Sequence, residues 1–387
     1  MRIALVSETY VPQVNGVSRT LEALVGHLAA QGDQVQLLIP RYHAAGLSYP
    51  PGVSAVCFRA VALPFYREVV LPLASPQRLR QELSDFNPDL VHIATEGPLG
   101  LAALKAAVSL GLPVVSSYHS NFSDYLRLYG FGWLEGLAWR YLRRIHNATA
   151  LTFCPTPSIC CRLEVKGFRN LQLWGRGIDC ERFHPGKRDL ELRRSWGAGP
   201  GDPVALYVGR LAKEKNLELL LAAWRQVPGE NRRLLLTGDG PLRARLERLK
   251  DDRVLFTGYR QGEELARLYA SADLFVFPSL TETFGNVVAE AMASGLPAVG
   301  FRVPGPQDVI MDGRTGMLVG EIAAGRFAVA IDQLLTTGEK RRQMGEAARA
   351  WAEDQSWSSI LESVRKSYCQ VAAGHRTGKN NPKITPP

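Results

Sequence analysis

The chain has 387 residues, too many for one compact core and enough for two domains. Hydrophobic residues make up 46% and charged residues 21%, the balance of an ordinary soluble globular protein. A net charge of +9 favours an anionic partner such as phosphate, nucleic acid or an acidic membrane surface, and no run of about eighteen apolar residues is present to span a bilayer.

The opening "MRIALVSETY" has too short an apolar core for a signal peptide and predicts a first strand. A helix follows from about Gly16 to Ala30, then the strand "QVQLLIP". Asn15-Gly16 forms the strand-to-helix turn, but one glycine does not make a G-x-G-x-x-G fingerprint. The segments "PDLVHIAT", "LPVVSSYH" and "ATALTFCPT" continue the pattern, each followed by helix-compatible sequence. Strands alternating with helices predict a parallel α/β sheet. "VSSYHSNF" leaves His119 at the carboxyl edge of its strand, where α/β sheets bind ligands.

From Tyr125 to Arg176 eight basic residues (Arg127, Arg140, Arg143, Arg144, Arg162, Lys166, Arg169, Arg176) face two acids (Glu135, Glu164), a local net charge of +6. Within this segment aromatics, leucines and arginines intermingle over residues 125–146. Such a stretch suits either an anionic membrane interface or a core-facing helix with a basic outer face. No nucleic-acid-binding module accompanies the charge, so no nucleic-acid partner is expected.

Residues 173–203, rich in Gly, Pro and charge, interrupt the alternation and read as a linker. It then restarts with "VALYVGR", "RRLLLTGDG", "DRVLFTGY", "ADLFVFPS" and "LPAVGF". "VALYV" ends at Gly209-Arg210, and Lys215 follows just before an apolar helix. Two cations beside a helix N-terminus suit a diphosphate. "ADLFVFPS" runs into the loop 279–285, with a helix from about Asn286. Glu282 in that loop and Glu290 in the first turns of the helix can face one pocket, and carboxylates accept sugar hydroxyls. Gly285 allows close backbone approach, and the N–H groups from Phe284 through Asn286 and Val287 to Val288 are expected to be free for phosphate.

The helix from Trp357 is amphipathic, with Ile360, Val364, Tyr368 and Val371 on one face, and the tail "GHRTGKNNPKITPP" has little to bury. The six cysteines, Cys57, Cys154, Cys160, Cys161, Cys180 and Cys369, form no C-x-x-C pair and read as reduced thiols of a cytoplasmic protein. No D-x-D motif suggests a divalent metal, so neither a metal nor a cofactor is expected.

Gly209-Arg210 with Lys215, and "ETFGNVVAE" as an E-x7-E signature, together resemble the retaining glycosyltransferases of family 4 over nearly all of residues 1–372. "GRGIDCERFHP", "TGDGPLR", "GLPAVG" and "DGRTGMLV" look like further family segments. The resemblance implies a GT-B fold: two Rossmann-like doubly wound domains facing a central cleft. The expected boundaries are 1–185 for the acceptor domain, 186–355 for the nucleotide-sugar domain, 356–373 for a helix returning to the first domain, and 374–387 for a disordered tail.

By the same resemblance, His119, Arg210, Lys215 and Glu282 would be catalytic. Gly16, Gly209, Gly258, Tyr259, Arg260, Phe284, Gly285, Asn286, Val287 and Glu290 would complete the binding set for a UDP- or GDP-sugar. "SYHSNFSDYLRLYG", "FNPDLVHIATEGPLG" and "LWGRGIDCERFHP" resemble the branch acting on lipids, which includes sulfoquinovosyl-diacylglycerol synthases and GDP-mannose-dependent α-mannosyltransferases. That branch implies a lipid or glycolipid acceptor and a peripheral place on the inner face of the cell membrane. A soluble sugar or small molecule is the alternative acceptor.

Overall fold

The computed structural model describes residues 1–387 except 14, 43–47, 64, 65, 73, 120–129, 250, 356 and 378–387. The chain divides into two compact units, Met1–Arg176 with Trp357–Pro387, and Gly177–Ser356. The division falls at 176/177, earlier than the expected 185/186, because Trp174 still packs in the first unit's core while Ile178 and Phe183 already pack in the second's.

In the first unit, β1 (Arg2–Val6), β2 (Gln34–Pro40), β3 (Val53–Phe58), β6 (Leu90–Ile93), β7 (Val114–Ser117), β8 (Leu151–Cys154) and β9 (Leu171–Leu173) form one sheet. Its order is β3-β2-β1-β6-β7-β8-β9, and every pairing is parallel. Between β3 and β6 lies a separate antiparallel pair, β4 (Ala60–Leu63) and β5 (Tyr66–Pro72). The central strands are apolar because both faces are covered, as parallel sheets require. Ile3 and Leu5 pack under the helix Gly16–Ala30, while Ala4 and Val6 pack under the helices Pro76–Phe86 and Pro98–Ser109.

The last helix, Trp357–Arg376, lays Leu361, Val364, Tyr368 and Val371 into the first unit's core. It extends beyond the expected end at 373, so residues 374–376 of the expected tail are helical; 378–387 lie outside the described residues. Tyr368 Oη lies 2.6 Å from His92 Nδ1 on β6, and Arg365 donates to buried Asp33 at 2.7 Å.

The second unit holds β10 (Val204–Val208), β11 (Arg233–Thr237), β12 (Val254–Gly258), β13 (Leu274–Phe277), β14 (Ala298–Phe301) and β15 (Gly316–Val319). The order β12-β11-β10-β13-β14-β15 is again fully parallel. Val204, Leu206 and Val208 pack toward the helices Gly262–Ser271 and Asn286–Ala293, and Ala205 and Tyr207 toward Leu217–Trp224 and Ala324–Thr336. Each unit is doubly wound. The strand order reverses between β1 and β6 in one and between β10 and β13 in the other, and such a reversal opens a crevice at the strands' carboxyl ends.

Candidate active site

The second unit's reversal point brings Arg210, Lys215 and Glu282 of the predicted residues together. Gly209 and Arg210 leave β10, and a single 3-10 turn, Lys213–Lys215, precedes the helix Leu217–Trp224. Across the reversal, β13 feeds the loop that carries Ser279 and Glu282. Lys215 Nζ donates directly to Glu282 Oε1, which also accepts from Ser279 Oγ at 2.8 Å. Burial alone would lower the Lys215 ammonium. The Glu282 carboxylate beside it outweighs that and raises it, so Lys215 is a cation at neutral pH. Arg210 donates to Glu214, whose side chain is buried in the same turn. Buried Tyr207 supports this turn by donating from Oη to the Arg210 carbonyl at 3.1 Å, and burial pushes its phenol up, so it stays neutral.

The helix Asn286–Ala293 starts after Gly285, whose φ of 94° is left-handed backbone that glycine adopts without strain. Asn286 and Val287 stand in its first turn, where N–H groups have no partner inside the helix. Val288 does not belong with them: its N–H donates to the Gly285 carbonyl at 2.9 Å, closing the first turn. Phe284 and Val287 lie partly against the core below. Glu290 is only 9% exposed and accepts from Tyr269 Oη at 3.0 Å. It is held inside the unit and not on a solvated helix face.

Gly258 ends β12 at the sheet's edge, and Tyr259 and Arg260 follow it. Their loop is tied to the reversal point through backbone bonds from Gly238 to Gly258 at 2.9 Å and from Gly209 to Thr237 at 3.0 Å. Tyr259 is half exposed, and Arg260 pairs with Glu264 at 3.5 Å.

His119 and Gly16 belong to the first unit. Gly16 opens the helix Gly16–Ala30, which Asn15 caps by accepting from the Ser18 N–H at 2.8 Å. His119 lies two residues beyond β7, buried, with Nδ1 2.8 Å from a guanidinium nitrogen of Arg176. Among the described residues, no group of three His, Cys, Asp or Glu side chains is arranged to hold a metal, and no helix is long and apolar enough to cross a membrane.

Several residues in this geometry escaped the sequence reading. Ser279 and Glu214 orient Glu282 and Arg210. Tyr269 orients Glu290, but a tyrosine in "ELARLYAS" looks like core. Gly305 also contributes, because a Cβ there would sit 2.9 Å from Glu282 Cβ and 3.0 Å from its carbonyl oxygen, so only glycine leaves room for that loop. Its signal was faint: a Gly-Pro after a strand, in "VPGPQD".

The family model described as "Glycosyltransferase Family 4" matches residues 14–182, and "Glycosyl transferases group 1" matches 189–351. A GDP-mannose-dependent alpha-mannosyltransferase of Mycobacterium tuberculosis (strain CDC 1551 / Oshkosh) is 35% identical, covering 97% of this chain and 98% of the relative. The sulfoquinovosyl transferase SQD2 of Arabidopsis thaliana is 34% identical over 96% of this chain and 74% of its own. An alpha-monoglucosyldiacylglycerol synthase of Streptococcus pneumoniae (strain ATCC BAA-255 / R6) is 29% identical, covering 82% of this chain and 75% of the relative. With both family models matched in order along the chain and relatives 34–35% identical to it over nearly its full length, the chain belongs to glycosyltransferase family 4, a GT-B enzyme of the branch that holds these mannosyl- and sulfoquinovosyltransferases.

Proposed function

We propose that the protein transfers a hexose from a nucleotide-diphosphate sugar to a hydroxyl of a membrane lipid or glycolipid, with retention at the anomeric carbon. The observation that carries this reading is the direct Lys215–Glu282 contact across the reversal point, with Arg210 beside it. A diphosphate lying against Arg210 and Lys215 would place the attached sugar next to Glu282, whose carboxylate accepts hydrogen bonds from its hydroxyls. Glu290, buried and held by Tyr269, is suited to the two ribose hydroxyls.

In the proposed step the acceptor oxygen bonds to the anomeric carbon as that carbon's bond to the β-phosphate oxygen breaks. The acceptor's proton passes to the departing phosphate, on the same face. Arg210, Lys215 and the N–H groups at the start of the helix Asn286–Ala293 stabilise the negative charge that collects on the diphosphate. These cations do the work that a divalent metal does elsewhere, so the reaction is proposed to need none.

Two observations support a lipid acceptor. One is the relative named for glucosyldiacylglycerol synthesis. The other is the surface around the helix Glu135–His146, where Phe131, Trp133 and Leu137 are exposed beside Arg140, Arg143 and Arg144, while Trp139, Leu142 and Ile145 pack inward. Residues 125–129 of the expected membrane segment lie outside the described residues.

A thermal-shift panel of UDP- and GDP-sugars, GDP-mannose included, tests the sugar donor, since a bound ligand raises the melting temperature with its affinity. The stabilising sugar is then offered with diacylglycerol, glycosyl-diacylglycerols and soluble sugars, with EDTA present. Mass spectrometry and the anomeric NMR coupling of the product should show an α-linked glycolipid. No shift with any nucleotide sugar would overturn the activity; transfer only to soluble sugars would overturn the lipid acceptor.

A further inference from the structure

Each cation of the second unit's crevice is already met by an acid. Arg210 Nη2 donates to Glu214 Oε1, and Lys215 Nζ donates to Glu282 Oε1. Ser279 ties the two acidic residues together: its hydroxyl lies 2.8 Å from Glu282 Oε1 and 3.4 Å from the Glu214 carbonyl. The same four charges are the ones that act on the buried Tyr207 phenol, so they converge on one spot. They cancel before any ligand enters.

The two acids are placed differently. The Glu282 side chain is 17% exposed, beside a lysine exposed to a similar extent. The Glu214 side chain is 1% exposed, under a guanidinium that is 31% exposed. A ligand arriving from solvent meets Arg210 and does not reach the Glu214 carboxylate. Glu214 therefore acts on a ligand only through Arg210 and through its own charge. Holding Arg210 does not require that charge, because a glutamine amide oxygen accepts the same N–H. What the carboxylate adds is a negative charge inside a grip for negative ligands, and a buried charge is little screened by salt.

Such a charge weighs differently on the two ligands of a transferase. A nucleoside diphosphate ends in a phosphate whose second ionisation lies near pH 6, so it carries about three negative charges at pH 8, against about two on the nucleotide sugar. We propose that Glu214 is a positioning residue and a built-in counter-ion, which holds Arg210 toward the diphosphate and repels the departing nucleoside diphosphate more than the incoming nucleotide sugar. The counter-ion lies wholly within the second unit; that it speeds product release rests on the proposed transferase reading.

Calorimetric titration of the full-length protein with GDP, UDP and inorganic pyrophosphate at pH 8 tests the charge without turnover. Glu214→Gln should bind pyrophosphate, and whichever nucleoside diphosphate the parent binds, about tenfold more tightly, with no change for the uncharged nucleoside. Glu214→Asp keeps the charge and should stay within about threefold of the parent. Glu214→Asn, smaller and equally uncharged, repeats the test should the glutamine variant fail to fold. In turnover, product inhibition should strengthen about tenfold in Glu214→Gln while KM for the nucleotide sugar falls about fivefold or less, since repulsion scales with the charge on the ligand.

Neutral variants that bind diphosphates no more tightly, or that gain equally on the nucleoside, would overturn the counter-ion. A parent protein that binds none of the three probes would overturn both the counter-ion and the transferase reading. Tighter diphosphate binding by the neutral variants, in a protein that transfers no sugar, would support the counter-ion and overturn only that reading.

Discussion

The Tyr269 hydroxyl donates to the Glu290 carboxylate at 3.0 Å, joining the helix Gly262–Ser271 to the helix Asn286–Ala293 inside the second unit. Tyr269 is fully buried and its ring stands edge-on to Phe183 at 5.5 Å, so the hydroxyl has little freedom to move. A hydrogen bond to a charged acceptor is worth about 1.5–3 kcal/mol. Tyr269→Phe should therefore let Glu290 drift and raise KM for the nucleotide sugar about tenfold, with kcat changed less than threefold. Steady-state kinetics with the sugar varied read this split directly. An unchanged KM would mean that Glu290 does not touch the nucleotide.

Lys215 and Glu282 neutralise each other in a largely buried contact, with Ser279 holding the same carboxylate oxygen. If Lys215 takes up charge that develops on the diphosphate, its loss weakens the transition state more than the bound sugar. Lys215→Met should lower kcat by about a hundredfold or more, the scale seen when one preorganised charge-stabilising group is removed. Arg210→Met should act in the same direction. Rapid-quench or steady-state turnover measures both, and a Lys215→Met enzyme of undiminished kcat would remove the proposed role.

Gly305 offers a sharper test, because backbone strain can be separated from contact with Glu282. At φ 94° an alanine is strained wherever it sits, and here its Cβ would also press on Glu282 at 2.9 Å. Gly313 has φ 76° but open space around its missing Cβ. Both Gly305→Ala and Gly313→Ala should cost about 1–2 kcal/mol of stability. Only Gly305→Ala should also cut turnover, by about tenfold or more, as Glu282 is displaced. Equal activity in the two variants would detach Glu282 from the reaction.

Asp33 gives the first unit a pH-dependent tie. Its carboxylate accepts from the Met1 amine at 2.6 Å and from Arg365 of the last helix at 2.7 Å. Burial alone would raise its pKa, but these two cations more than compensate and hold it below the usual range. A carboxyl depressed on folding adds stability that is complete above its unfolded pKa, about 3.9, and is lost as pH falls through the folded value. Asp33→Asn should therefore melt lower than the parent by a constant margin between pH 5 and 8, worth about 2 kcal/mol. The margin should narrow below about pH 4. A margin that widened on acidification would contradict the assigned sign.

Much of this fold was readable because central parallel strands are buried on both faces and must be apolar. "IALV", "QVQLLIP", "VALYV" and "LFVF" announce themselves for that reason. β3, β9 and β15 were missed, since they sit at or near sheet edges, are short or half-exposed, and carry a weaker hydrophobic signal. The cations and acids at the second unit's reversal point could be read because charge is conspicuous beside an apolar helix. What orients them could not. Tyr269 is disguised as core, Gly305 acts through the side chain it lacks, and Arg176 entered only as one charge among eight until its guanidinium was seen against His119.

The helix Glu135–His146 separates two explanations of the same basic segment. A core-facing helix needs Trp139, Leu142 and Ile145 inward, and they are. It gives no reason for Trp133, 78% exposed, and Leu137, 64% exposed, to stand outside, beside Arg140, Arg143 and Arg144. A membrane interface gives one: tryptophan and leucine enter the headgroup boundary, and each arginine near an anionic surface adds about 1 kcal/mol. Sedimentation with vesicles containing a quarter phosphatidylglycerol should therefore show binding that weakens between 50 and 300 mM salt, because the charge contribution is screened. Arg140→Gln, Arg143→Gln and Arg144→Gln together should remove most of the salt-dependent part. Trp133→Ser with Leu137→Ser should weaken binding at high salt as well, since burial of apolar area is unscreened. All five positions are exposed, so the variants should melt like the parent and keep turnover on a detergent-dispersed acceptor. Vesicle binding that ignored both sets of substitutions would leave the exposed tryptophan without a membrane role and return the segment to an ordinary basic surface.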